Sequence, residues 1–167
     1  MTDTIATETI ANEAIMPKPS YLGLINAIAT GEWQGYEYLT AWADVTTDPA
    51  VEAVLRTVAA REGEHAMTFA KRVNELGYQV RRKPVDEATK ARAALAGSSA
   101  TDTEKFLGLG YGEPRDPSAP DQFEQFFADH TIDPVTGALL GRFIAEERDS
   151  GRLLRECCAI LAARGAC

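Results

Sequence analysis

From about residue 20 onward, apolar residues recur at intervals of three and four, the period of a helix buried along one face. β-Branched residues are scattered and no run alternates, so strands are not expected. A first helix is expected from residue 19 or 20 to 44, with the stripe Ile25, Ile28, Glu32, Tyr36, Leu39 and Ala43. Asp48-Pro49 offers an N-cap followed by proline at the first helical position, so a second helix should start there and run to near Gly77. Its stripe is Leu55, Val58, Glu62, His65, Phe69, Val73 and Leu76. A connector with Arg81, Arg82, Lys83 and Pro84 leads to a short helix over 86–96, which Gly97-Ser98-Ser99 breaks. Helical character returns over 101–109, stops in the turn-rich stretch 110–120 and resumes over 121–130. The last helix should begin at Asp133-Pro134 and run to about residue 163, along Leu140, Phe143, Glu147, Ser150, Leu154, Cys157 and Leu161.

The second helix and the last one begin alike. Thr46-Thr47-Asp48-Pro49 recurs as Thr131-Ile132-Asp133-Pro134, with Trp42-Ala43-Asp44 before it matching Phe127-Ala128-Asp129. Beyond the cap, Ala53, Leu55 and Glu62 match Ala138, Leu140 and Glu147. Two helical hairpins related in this way pack naturally as an antiparallel four-helix bundle. The expected fold is therefore all-α, a four-helix bundle with a short extra helix and an insertion near its third helix. Residues 1–20 form a polar extension and 21–167 the bundle domain.

Composition narrows the chemistry. The chain has 167 residues and a net charge of −8, which argues against nucleic acid and against an anionic membrane surface. No window approaches 18 apolar residues, and the first twenty lack a basic start and an apolar core, so neither a membrane span nor a signal peptide is expected. Cys157, Cys158 and Cys167 show no CxxC spacing, and a reducing cytoplasm is the expected setting. Only two histidines are present, so a metal site would have to be rich in oxygen ligands.

Three helices carry a glutamate in the middle of an apolar stripe: Glu32, Glu62 and Glu147. Burying an unpaired carboxylate costs several kcal/mol, roughly 4 or more in a dry site. A cation is the common remedy. His65 follows Glu62 by three residues and so shares its face. By contrast, Glu37 and Glu64 fall on expected wet faces, His130 ends a helical stretch, and Cys157 and Cys158 read as small buried thiols.

Gly31-Glu32-Trp33-Gln34 with Tyr36 and Tyr38, and Arg61-Glu62-Gly63-Glu64-His65-Ala66, resemble the first-helix and second-helix motifs of the ferritin-like superfamily, most closely its rubrerythrin-type di-iron domain. The resemblance is clear over 21–77 and extends through the repeat over 100–163. It implies two irons, with manganese as the alternative, held by one glutamate from each of two helices and a Glu-x-x-His pair from each of the others. Glu32, Glu62, His65 and Glu147 match. An insertion of about 13 residues makes Glu104 the third-helix ligand. Thr101-x-x-Glu104 is equally a capping box; Glu124 is the fallback. Ser150 stands where the second histidine belongs, with Asp149 beside it forming an ExxD pair with Glu146, and a single-metal site is the alternative to the di-iron one.

The resemblance implies reaction with peroxide or dioxygen, or oxidation of ferrous iron, with Tyr36 able to hydrogen-bond the oxidant. No rubredoxin-like module is present in the sequence, so turnover would need an external reductant. A homodimer is the expected assembly. Two other readings stay open: a metal-free bundle serving as an interaction module, and a di-iron hydroxylase with 110–120 as a lid.

Overall fold

The computed structural model describes residues 17–112, 118 and 121–165. Most of the expected N-terminal extension and of the 110–120 lid, and Cys167, lie outside the described residues. Those that are described form five α-helices and one 3-10 turn, with no strand. They are α1 (Leu22–Ala43), α2 (Pro49–Glu75), α3 (Glu87–Ala96), α4 (Asp102–Gly108) and α5 (Pro134–Gly165), with the 3-10 turn Glu124–Phe127 before α5. None of these helices is long and apolar enough to cross a membrane.

The caps fall where the sequence puts them. Asp48 accepts from the backbone N–H of Ala50 and Val51 at 2.8 and 3.3 Å, with Pro49 at the first helical position. Asp133 does the same for Val135 and Thr136 at 2.9 and 3.1 Å. Asp86 caps α3 through Thr89 N–H at 2.8 Å. At the far end of α2, Gly77 takes φ +83°, a conformation that costs a residue with a Cβ, and lets Tyr78 N–H reach Val73 O at 3.1 Å.

The three long helices run alternately up and down. Going backward along α2, its partners advance along α1: Phe69 packs with Ile25, His65 meets Glu32, Glu62 lies on Gly35, and Arg56 reaches Asp44. That order makes α1 and α2 antiparallel. The same holds for α2 and α5, where Arg72 bonds Thr136, Glu64 meets Arg142, Arg61 meets Asp149, and Asp48 meets Arg164. A hub ties the lower ends together. The Asp133 carboxylate accepts from Tyr21 Oη and Thr136 Oγ1 at 2.6 Å and from Arg72 Nη2 at 2.9 Å.

The bundle interior holds two apolar clusters rather than one. The first gathers Leu39, Trp42, Val51, Leu55, Val58, Phe106, Leu154 and Cys157 around the α1–α2 turn. The second gathers Ile25, Ile28, Phe69, Val73, Phe123, Leu140, Phe143 and Ile144 at the opposite end. Glu32, Glu62, His65, Glu147 and Ser150 occupy the levels between them along all three helices. Cys157 and Cys158 are buried free thiols, as expected.

The region between α3 and α5 departs from expectation. In place of a helix over 121–130 there is only the short 3-10 turn. The Asp121 and Asp129 carboxylates accept from the backbone N–H groups of Phe123 and Thr131, two residues on, at 3.0 and 2.9 Å. Such local bonds compete with the helical ladder, and so short a segment has little cooperativity to resist them. Phe127, the counterpart of the fully buried Trp42, is 49% exposed. Among the described residues no long helix stands between α2 and α5. Instead α4 docks beside the α1–α2 turn, where Asp102 accepts from Trp42 Nε1 and Thr46 Oγ1, both at 2.6 Å. The basic connector is exposed, as expected, yet anchored: Arg81 pairs through its backbone with Asn26, and the Arg82 guanidinium lies 5.4 Å from the centre of the Trp33 ring.

Candidate metal centre

His65 is the pivot of the polar layer. Its ring is 4% exposed and packs edge-on to Phe143, with centroids 5.0 Å apart. Nε2 lies 2.6 Å from Glu146 Oε2, and Nδ1 lies 3.1 Å from Glu32 Oε2 and 3.6 Å from Glu147 Oε1. Burial alone would raise the Glu146 carboxyl, but hydrogen bonds from His65 and from Arg142, whose Nε is 2.9 Å away, hold it below its ordinary range. An ionised Glu146 can only accept, so Nε2 is the donor. Nδ1 is turned inward, with Glu32 Oε2 at 3.1 Å and Glu147 Oε1 at 3.6 Å. A histidine fixed by an outer carboxylate in this way is the usual arrangement behind a metal-ligating nitrogen.

One ligand atom each from Glu32, His65 and Glu147 lies within 4.8 Å of the other two, close enough to share a cation. Glu62 adjoins this triad through a hydrogen bond with Glu32. Its carboxylate rests over Gly35, where an added Cβ would stand 3.0 Å from the carboxyl carbon. The absence of a side chain at Gly35 makes room for the acid.

The electrostatics of the cluster are those of buried acids crowded together, with more negative than positive charge around them. Burial, then the charge of Glu147, pushes Glu32 up to about 8. Burial, then Glu32 and Glu147, pushes Glu62 up to about 10. Burial also raises Glu147, against the opposing pull of His65 and Arg61. Glu147 Oε1 is buried with no hydrogen-bond partner among the described residues. An orphan carboxylate oxygen facing an imidazole and a second raised carboxyl is a poor arrangement for a closed polar network and a good one for a hard cation. The donor set of one nitrogen and several carboxylate oxygens fits iron or manganese.

Four of the five expected metal ligands thus come together. Glu104 does not. It is exposed and completes the capping box of α4, accepting from Thr101 N–H and Oγ1 at 2.8 Å each. Its partner is its own helix start, 3 residues back, and no side-chain contact carries it to the cluster. Glu124, the fallback, is also exposed, as is His130. Tyr36 sits at the rim, 36% exposed, with its ring against Gly63 and Trp33 and no hydrogen bond from its hydroxyl to the carboxylates. The phenols on the acid side are the half-buried Tyr38 and Tyr111, whose hydroxyls are 3.1 Å apart and feel the charge of Glu62. Periodicity puts Tyr36 on the inward stripe, but the close approach of α1 to α2 at Gly35 and Gly63 leaves its ring outside.

Two residues gain roles that the helical pattern alone does not assign. Glu146 orients His65, a signal present in its position four residues after Arg142 and beside Glu147. Arg61 donates from Nη1 to Asp149 at 2.8 Å and to Ser150 Oγ at 3.3 Å, so Ser150 is satisfied by a guanidinium. Compared with protein families, with curated proteins and with solved structures, the chain matches none.

Proposed function

We propose that the protein is a carboxylate-rich metal protein of ferritin-like type that binds iron, or manganese, between α1, α2 and α5 and reacts with peroxide or dioxygen. The observation that carries this reading is the convergence of Glu32, His65 Nδ1 and the unpartnered Glu147 Oε1 within 4.8 Å. Glu32, His65 and Glu147 would hold the ion, and Glu62 would join them once its proton is displaced. A ferrous or manganous ion held there would supply one electron to the oxidant, and an external reductant would supply the remaining electrons and restore the lower oxidation state.

The chain's own part is to shape that chemistry. The two apolar clusters close the polar layer above and below and leave the inner carboxylates half-buried between them. Glu146, backed by Arg142, fixes the imidazole so that Nδ1 faces inward. Displacement of protons from the raised acids couples ion binding to pH, because ligation requires the deprotonated forms.

The test is anaerobic loading with ferrous iron followed by rapid mixing with hydrogen peroxide. Ferric absorbance should grow at least about tenfold faster than with free ferrous iron, an acceleration worth ~1.4 kcal/mol. His65→Ala should remove the acceleration. A rate equal to that of free iron would refute the reading. The broken third-helix region and the Arg61–Ser150 contact favour the metal-free alternative. If that reading holds, His65→Ala and Glu147→Gln should be neutral or stabilising, and no ion should bind.

A further inference from the structure

The expected second histidine position is not merely vacant of imidazole; it is served by a cation that the chain carries itself. Because α2 and α5 are antiparallel, Arg61, one turn before His65 on α2, meets Ser150, one turn beyond Glu147 on α5. Ser150 is 2% exposed and receives the Arg61 guanidinium at 3.3 Å, while Asp149 holds the same Nη1 at 2.8 Å. Arg152 binds Asp149 as well, at 2.6 Å, and Glu156 at 2.7 Å, so Asp149 divides its charge between two guanidiniums and Arg61 keeps a positive field of its own. It is felt at Glu147.

Building on the metal reading above, we infer that Arg61 stands in for a second metal ion, so that the centre takes one divalent cation per chain and not two. The charges agree. When ionised, the inner carboxylates Glu32, Glu62 and Glu147 carry three negative charges, which one divalent ion and one guanidinium balance. A second divalent ion would leave the same acids overbalanced. It would also lack ligands: paired metals sit about 3.5–4 Å apart and need their own donors. Among the described residues, Glu104 is committed to a helix cap and Glu124 and His130 are exposed. Arg61 is therefore a positioning residue that sets stoichiometry, and the consequence is a centre that gives or takes electrons one at a time.

Equilibrium dialysis against manganous ion without oxygen, read by metal analysis and by electron paramagnetic resonance, decides the matter. The wild-type chain should hold one ion with the six-line spectrum of an isolated manganese, and Arg61→Lys should do the same. The double variant Arg61→Ala, Ser150→His should rise toward two ions per chain and show the broadened signal of an exchange-coupled pair. Two ions on the wild-type chain, or a folded double variant that stays at one, would overturn the role of Arg61 and leave the metal reading standing. No bound ion would overturn both. Should the double variant fail to fold, Arg61→Gln takes its place: it should bind a second manganous ion at high metal concentration, and a folded Arg61→Gln chain that stays at one ion throughout would overturn the role of Arg61.

Discussion

At the scale of single residues, the centre depends on what is absent at Gly35 as much as on what is present at Glu62. A methyl group there would displace the Glu62 carboxylate, yet alanine is the better helix former by about 1 kcal/mol. Gly35→Ala should therefore leave thermal stability unchanged or raised while weakening metal affinity roughly tenfold or more, equivalent to ~1.4 kcal/mol. Calorimetric titration beside thermal melts reads both. Equal loss of both would mean that Gly35 serves helix packing rather than the acid. The acid cluster itself is legible from placement, since a glutamate at mid-stripe on each of three helices calls for a shared counter-charge. Tyr36 departs from expectation for a reason of geometry. The helical wheel assigns it inward, but whether a ring at the stripe's edge enters the core depends on how closely the neighbouring helix approaches.

At the scale of elements, the Asp-Pro starts of α2 and α5 carry different loads. Asp48 caps its helix near the surface, whereas Asp133 also binds Tyr21 and Arg72 and so joins three helices. Burial alone would raise the Asp133 carboxyl, but bonds from Thr136, Tyr21 and Arg72 hold it far below the usual range. Asp133→Ala should cost about 2 kcal/mol or more, from a lost cap and lost charge-assisted bonds. Denaturant unfolding checks this; a loss under about 0.5 kcal/mol would show the hub to be incidental. Helix boundaries at caps are readable to within a few residues because Asp-Pro and Asp-x-x-Thr act locally. The 121–130 segment is not, since Asp121 and Asp129 serve equally well as helix starters and as turn formers. Glu104 poses the same ambiguity, and the capping box decides it.

For the whole molecule, the acid cluster sets an opposition between pH and stability in the metal-free chain. Glu32 and Glu62 have ordinary values of 4.5 and are raised to about 8 and about 10 on folding. Between those limits the folded chain binds more protons than the unfolded one, so stability falls as pH rises. The contribution is fully present below about pH 4.5 and is lost progressively toward pH 8 and beyond. Thermal melts of the metal-free chain should decline from pH 6 to 9 more steeply than those of Glu62→Gln, which lacks the titrating group. A slope unchanged by that substitution would contradict the assignment. Bound cation should reverse the trend, because binding releases the same protons. At a hundredfold excess over the dissociation constant it should add about 2.7 kcal/mol, or roughly 5–10 °C in Tm.

The central claim is that a cation belongs between α1, α2 and α5, in the polar layer that divides the two apolar clusters. Anomalous scattering at the iron edge, from crystals of the iron-loaded protein, tests it most directly. The account predicts a single strong peak within bonding distance of Glu32, His65 Nδ1 and Glu147. The absence of a peak there, or a peak only at surface carboxylates, would contradict it.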